Sequence, residues 1–189
     1  MTSPSSTSPH SSTELRSRVA NGESFDYLHF WGHRLREDGA ISASWFSQWY
    51  PSRFELEGVV YPTAEHFMMA EKARLFGDTH TLARVLIAAT PNDAKTLGRR
   101  VGGYDDQRWA AHRFDSVVKG NHAKFAQSGK LRAFLIGTAP RVLVEASPVD
   151  AIWGIGMAAD DPRATDPIQW QGLNLLGFAL MLVRDRLSA

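Results

Sequence analysis

The chain has 189 residues, of which 43% are apolar and 11% aromatic, and its net charge is +1. That length suits one ordinary domain with a sizeable core and is too short for two comfortable ones. No basic run stands out, so charge does not predict a nucleic-acid-binding protein, although one base or one end of a nucleic acid can still be a substrate.

The residue types exclude several kinds of site. Cysteine is absent, which excludes disulfides, thiolate nucleophiles and cysteine-bound zinc. The seven histidines lack metal-ligand spacing and no HExxH motif occurs, so we expect no metal. The sequence has neither an apolar window of eighteen residues nor the charged and apolar regions of a secretory signal, and we expect a cytoplasmic protein that does not enter the membrane.

The first part of the chain divides into a tail, a strand and an aromatic cluster. Residues 1–20 are rich in Ser, Thr and Pro and predict a disordered tail ahead of one catalytic domain over residues 21–189, with 14–19 either one helical turn or loose. Residues 25–31 alternate in polarity, which predicts a strand that ends at Gly32. The aromatics at 45–50 form either core or a flat pocket wall, and residues 54–61 predict a hairpin bent at Gly58.

The segment YPTAEHFMMAEKARLFGD at 61–78 predicts a helix with charges on its apolar side. Thr63 suits the N-cap, and Glu65, Met69, Lys72 and Phe76 then share one narrow stripe. The Cα atoms of Glu65 and Lys72 lie roughly 10.5 Å apart at about 1.5 Å rise per residue, too far for a local salt bridge. Because a buried charge is costly without a partner, the pattern favours a lined cavity, and the alternative is structural pairing with other segments.

Further helices follow the central one. Residues 82–89 and 91–98 predict two short helices, the second opened by Thr90-Pro91, and Arg99 and Arg100 either stabilise its C-terminal end or bind a phosphate. Asp105 is predicted to cap a long helix that runs to about residue 127, with Trp109 near its start. Residues 131–137 predict one more helix.

The last third of the sequence predicts a buried strand, a loop and a helix. Residues 142–146 form the clearest strand, with Glu145 in it, and are followed directly by SPVDAIWGIG, a loop with an acid, a tryptophan and glycines. The final helix has a core stripe of Leu173, Leu176, Leu180, Val183 and Leu187, and Asn174 either caps it or reaches into a cleft. The whole pattern predicts an α+β fold, a helix-rich single domain with a small β-sheet.

Carboxylates and indole rings together suggest one kind of chemistry. Glu65 and Asp150, with Glu145, are candidates to act on a glycosidic bond, because cleavage passes through an oxocarbenium-like state that a carboxylate stabilises while an acid protonates the leaving nitrogen. Trp31, Trp49, Trp109 and Trp153 offer flat surfaces on which a heterocycle can stack. Spacing alone does not decide whether Glu65 and Asp150 face each other.

Long blocks of this sequence resemble the NADAR family, which includes N-glycosidases of riboflavin-biosynthesis intermediates. The blocks are YPTAEHFMMAEKARLFGD at 61–78, AKTLGRRV at 94–101, the following Trp109, KF at 124–125, LVEASPVDAIWGIG at 143–156 and WQGLNLLGFALMLVR at 170–184. They follow the family's order and span about residues 25–187, which leaves only the N-terminal tail outside. Where many members read SNFYP, this chain reads SQWYP at 47–51, a change that bears on the substrate more than on the reaction.

The resemblance implies an N-glycosidase that cuts a base-like amine from a ribose carrying phosphate, without a cofactor or an obligate protein partner. The implied substrate is either a ribosylated pyrimidine intermediate of riboflavin synthesis or ADP-ribosylated guanine in nucleic acid. The implied catalytic residues are Glu65, Asp150 and Lys72. The implied substrate-binding residues are Trp109, Trp153, Trp31, Gly32, Trp49, Asn174, Glu145 and Gly154.

Two alternatives accompany this reading. Lys72 either attacks an opened ribose as a neutral amine, forming a Schiff base, or stays charged and binds a phosphate or orients Glu65. The protein as a whole is either an enzyme or a non-catalytic module that binds ADP-ribose-type nucleotides in the same pocket. An acid on an apolar helix stripe favours the enzyme, because a binding module has no need of it.

Overall fold

The computed structural model describes residues 8–32 and 42–189. Its helices and strands, in chain order, are α1 (Ser12–Ala20), β1 (Tyr27–Phe30), β2 (Phe54–Leu56), β3 (Val59–Tyr61), α2 (Ala64–Leu75), α3 (Thr79–Leu86), α4 (Pro91–Gly98), α5 (Asp106–Ala126), α6 (Gly129–Ile136), β4 (Val142–Glu145) and α7 (Leu175–Ser188). Short 3-10 helices lie at Ala43–Phe46, Pro162–Thr165 and Pro167–Gln169. The predicted helix-rich α+β fold is confirmed.

The strands form two small pairs within the described part of the chain. β1 lies parallel to β4, with Tyr27 opposite Val142 and Phe30 opposite Glu145. β2 and β3 form the predicted hairpin, and its turn at Glu57-Gly58 has positive φ at both positions (54° and 77°), as a tight hairpin turn requires. The sheet expected from the sequence is therefore present as two separate two-stranded pieces.

Helix α2 lies at the centre of the helical layer and packs against α3, α4 and α5. It begins as predicted, because the Thr63 hydroxyl accepts the N–H of His66. The side of α2 opposite the charged stripe is enclosed as well, because His66 and Phe67 are buried there. His66 is accommodated there because its ring bonds the Thr63 hydroxyl at 2.8 Å and the Ala88 carbonyl at 3.1 Å.

Helix α7 packs against β4, α5 and α6 and holds β4 in place. The buried Asn174 side chain accepts the N–H of Glu145 at 2.9 Å and donates to the Leu143 carbonyl at 2.9 Å. Asn174 therefore neither caps the helix with its side chain nor reaches into a cleft, but anchors the strand that carries Glu145. Leu173, predicted to be in the core, is 43% exposed because it precedes the helix.

The N-terminal segment differs from the predicted disordered tail. Ser12–Ala20 is helical, capped by the Ser11 hydroxyl, and Leu15 is buried in the core. The Ser12 hydroxyl bonds the Leu173 carbonyl, and Arg16 bonds two carbonyls near Trp170. These long-range bonds make 12–20 part of the packed domain, which therefore begins before residue 21, while residues 1–7 lie outside the described residues. None of the helices in the described residues is long and apolar enough to cross a membrane.

Candidate active site

A cavity of about 480 Å³ opens between α2, α4, the end of β4 and the loop that follows β4. It is lined by Ser47, Gln48, Trp49, Glu65, Met68, Met69, Lys72, Lys95, Gly98, Arg99, Glu145, Val149, Asp150, Ala151, Ile152, Trp153 and Leu176. Four separate segments thus bring three carboxyl groups, three cations and two indole rings to one space. The stripe that carries Glu65 and Lys72 forms one wall, and the loop with Asp150 and Trp153 forms another.

Glu65 is almost fully enclosed, with 3% of its surface exposed. Its backbone N–H donates to the Gln48 carbonyl at 3.0 Å, and the Trp49 side chain hydrogen-bonds its carboxyl group. Burial raises the pKa of Glu65 to about 7, opposed by the positive charge of Lys95 and by the Trp49 hydrogen bond. Its Oε1 is buried and has no hydrogen-bond partner among the described residues.

Glu145 is the last residue of β4, so its side chain reaches the cavity where the strand ends. Burial, together with the smaller effect of the nearby Asp150 charge, raises the pKa of Glu145 to about 8. Its Oε2 finds no partner in residues 8–32 and 42–189. At neutral pH, Glu145 is therefore a largely neutral acid with one open oxygen.

Asp150 is fixed by the backbone of its own loop. Its Oδ1 accepts the N–H groups of Ile152 and Trp153, each at 2.8 Å. These bonds form a local turn that orients the carboxylate at the cavity. Trp153 lines the same wall, half-buried.

Lys72 lies against aromatic rings rather than against a carboxylate. Its Nζ is 4.0 Å from the centre of the Tyr104 ring and 5.8 Å from that of Trp109. Burial lowers the pKa of Lys72, opposed by the charge of Asp106, which accepts a hydrogen bond from the Tyr104 hydroxyl. The ring faces favour the charged form of the amine, while burial favours the neutral form.

Two further cations come from α4. Lys95 and Arg99, four residues apart on one side of this helix and its C-terminal end, both line the cavity, and the Lys95 Nζ lies 5.6 Å from the Trp49 ring centre. Arg100 follows directly but is exposed and is not among the lining residues. Of the two arginines that the sequence offered for a phosphate, the structure places Arg99 at the cavity.

Six of the eleven predicted site residues line this cavity: Glu65, Lys72, Asp150, Glu145, Trp49 and Trp153. The other five lie elsewhere. Trp109 is buried behind Lys72, and Asn174 is bonded to β4. Gly154 is packed so closely that a Cβ there would lie 2.7 Å from the Glu145 carbonyl oxygen. Trp31 is 59% exposed, and Gly32, with φ of 81°, is the last residue before the undescribed segment 33–41.

The sequence analysis missed two polar residues of the cavity. Lys95 was not singled out, although its i, i+4 spacing to Arg99 places both on one helix face. Gln48 was noted only as a departure from the family pattern. In the part of the chain that the structure describes, no three His, Cys, Asp or Glu side chains form a group that could hold a metal ion.

Comparison with known proteins gives consistent matches. The sequence model of the NADAR domain matches residues 29–188. An N-glycosidase of Acanthamoeba polyphaga mimivirus is 39% identical over 168 residues, covering 86% of this chain and 97% of that protein. The N-glycosidase YbiA of Escherichia coli K12 is 31% identical over 143 residues, covering 76% of this chain and 81% of that protein. The NMR structure of E. coli YbiA is similar with a TM-score of 0.69 and 27% identity, covering 88% of this chain and 87% of that chain.

Proposed function

Because the chain belongs to the NADAR family and is an N-glycosidase, a hydrolase acting on N-glycosyl compounds, we propose that its substrate is an N-riboside that carries phosphate. The two candidates of this kind are a ribosylated pyrimidine intermediate of riboflavin synthesis and an ADP-ribosylated guanine. The observation that carries the proposal is the meeting of buried carboxyl groups with Lys95 and Arg99 in one cavity.

The proposed reaction breaks the bond between the anomeric carbon and the leaving nitrogen. The bonding electron pair goes to the nitrogen, which takes a proton from Glu65, and positive charge develops on the ribose. The Asp150 carboxylate stabilises that charge and accepts a proton from the water that attacks the anomeric carbon. Glu65 suits the acid role because its pKa of about 7 leaves a large protonated fraction at neutral pH.

Glu145 has a separate role in this proposal. Its pKa of about 8 keeps it mostly protonated while Glu65 changes state, so it can donate a hydrogen bond to the substrate. A neutral Glu145 also limits the repulsion among three acids that share one cavity.

For Lys72, borohydride treatment during turnover separates the two roles left open by the sequence: a reduced lysine adduct identifies a Schiff base, and its absence leaves the charged role.

We propose that Lys95 and Arg99 bind the phosphate. Replacing Arg99 by Gln is expected to raise KM for a phosphorylated N-riboside about 10- to 100-fold, because a charge-assisted bond to phosphate is lost, and to leave KM for the dephosphorylated compound nearly unchanged. Arg100→Gln is the matched control, since Arg100 is the adjacent arginine that does not line the cavity. Equal effects of the two substitutions on phosphorylated substrate would place the phosphate elsewhere.

The proposed substrate class is tested by incubating the purified protein with each kind of N-riboside. We expect one of the two ribosides to release its free base together with the phosphorylated sugar. Chromatography and mass spectrometry detect both products. Turnover of ribosides without phosphate at the same kcat/KM would contradict the phosphate requirement. Failure to turn over either phosphorylated compound would reject both proposed substrates.

A further inference from the structure

Gln48 carries a buried donor that the proposed reaction does not use. It precedes Trp49 in the segment between the 3-10 helix Ala43–Phe46 and β2, lines the cavity, and is 7% exposed. Its Nε2 has no hydrogen-bond partner within the described residues. An amide N–H without an acceptor in a buried position costs about 1–3 kcal/mol, so such a group usually has a partner in the functional state.

The orientation of the Gln48 amide follows from its neighbours. Asn121 on α5 bonds the Val117 carbonyl at 2.9 Å, and because a carbonyl only accepts, the Asn121 atom there is its nitrogen. The same Asn121 nitrogen bonds the Gln48 side chain at 2.7 Å, so the Gln48 atom on that side is the oxygen. The Gln48 nitrogen therefore points away from Asn121, and neither of its two protons has an acceptor among the described residues.

The backbone around Gln48 is held from two sides. The Gln48 carbonyl accepts the N–H of Glu65 at 3.0 Å. The buried ammonium group of Lys124, one turn along α5 from Asn121, donates to the carbonyls of Trp45 at 2.8 Å and Ser47 at 2.9 Å. These bonds fix the backbone at Gln48, and the Asn121 bond holds its side-chain amide, so the donor is preorganised for a ligand.

We propose that Gln48 determines substrate specificity by donating a hydrogen bond to a carbonyl oxygen or ring nitrogen of the leaving heterocycle. This inference rests on the proposed reaction, which puts the leaving nitrogen next to Glu65, whose backbone N–H donates to the Gln48 carbonyl. Trp49, the next residue, offers a ring face to the same heterocycle. A donor at this place also stabilises the electron density that the heterocycle gains as the bond to ribose breaks.

A pair of N-ribosyl 5-phosphates tests this role: one carries a pyrimidinone, and the other carries the matching pyrimidine without the carbonyl. The wild-type protein is expected to prefer the pyrimidinone, and Gln48→Leu to lower kcat/KM for it about 10- to 100-fold, with little change for the other compound. Gln48→Glu, which replaces the donor by an acceptor, is expected to be at least as poor on the pyrimidinone. Gln107→Leu, the same change at an exposed glutamine of α5 that does not line the cavity, is the control and should keep the wild-type preference.

Binding of the two free heterocycles, measured by calorimetry, gives a readout that does not need turnover. The expected result is tighter binding of the pyrimidinone to the wild type, with a difference that disappears in Gln48→Leu. An equal loss for both heterocycles and both ribosides in Gln48→Leu would overturn the proposal. A loss for both ribosides with unchanged binding of the free heterocycles would overturn it too, because Gln48 would then contact the sugar. If the wild type binds the pyrimidinone selectively but cleaves neither riboside, the proposed substrate class fails and the Gln48 contact stands.

Discussion

Glu65→Gln is expected to lower kcat/KM for the N-riboside substrate by about 10²–10⁴-fold, the usual contribution of a general acid. Glutamine keeps the size of the side chain and can still accept the Trp49 hydrogen bond, but it has no proton to give to the leaving nitrogen. The loss should be smaller on a riboside whose leaving group is a weak base, because such a group departs without full protonation. Unchanged turnover of the phosphorylated N-riboside by Glu65→Gln would show that Glu65 is not the general acid.

The same substitution is expected to stabilise the protein, and this effect depends on pH. The pKa of Glu65 is about 7 in the fold against an ordinary value of 4.5, so between these pH values the folded protein binds a proton that the unfolded chain releases. Stability therefore falls as the pH rises from about 4.5 to 7, and the full cost, up to about 3 kcal/mol, is present above pH 7. Glutamine carries no charge and avoids this cost.

Thermal unfolding at pH 8 and pH 5 measures this effect. We expect Glu65→Gln to raise Tm by several degrees at pH 8 and to leave it almost unchanged at pH 5. Glu55→Gln, on an exposed side chain of β2, is the control and should shift Tm little at either pH. A lower Tm at pH 8 would mean that the Glu65 carboxylate stabilises the fold, as a structural ion pair does. Gain of stability with loss of activity is the pattern of a residue kept for function.

The sequence predicted the two walls of the cavity because their signals are local. Caps and spacing predict α2, and a charge on its apolar stripe indicates Glu65 as a site residue. The loop after β4 was predicted from a buried strand followed directly by an acid and glycines. Local patterns do not predict whether Glu65 and Asp150 line the same cavity, because that depends on how distant segments pack in the tertiary structure.

The parts that sequence analysis missed depend on partners far along the chain. The Gln48 side chain is oriented by Asn121, and the backbone just before it is held by Lys124. Both partners lie more than seventy residues away, so no local pattern predicts those bonds. Composition describes the average of a segment, so it predicts a tail over residues 1–20 with at most one helical turn at 14–19. Ser12–Ala20 is helical instead, and Leu15 is buried by contact with the rest of the domain. Asn174 looked like a cap or a cleft residue, but its bonds to β4 become visible only when strand and helix are packed together.

Gly177→Ala is expected to lower the free energy of unfolding by about 3 kcal/mol or more, because α7 and β4 approach each other there at the backbone. A Cβ at this position would overlap the Leu143 carbonyl oxygen and lie 2.5 Å from Asn174 Nδ2. Neither atom can move freely, since the Leu143 carbonyl and the Asn174 amide are bonded to each other. Helix propensity alone predicts the opposite result, a gain of about 1 kcal/mol for alanine over glycine within α7.

The sign of the change therefore decides whether close packing or propensity dominates at this position. Chemical denaturation of Gly177→Ala should show the loss, and Tm should fall by about 10 °C for a domain of this size. Gly129→Ala at the start of α6, where a Cβ meets no atom within 4 Å, is the control and should be neutral or slightly stabilising. Because the displaced Asn174 also accepts the N–H of Glu145, the variant should bind substrate more weakly even where it remains folded. A Gly177→Ala protein as stable as the wild type would show that α7 can move away from β4 at little cost. In that case, the bonds of Asn174 would no longer explain how the end of β4, with Glu145, is held at the cavity.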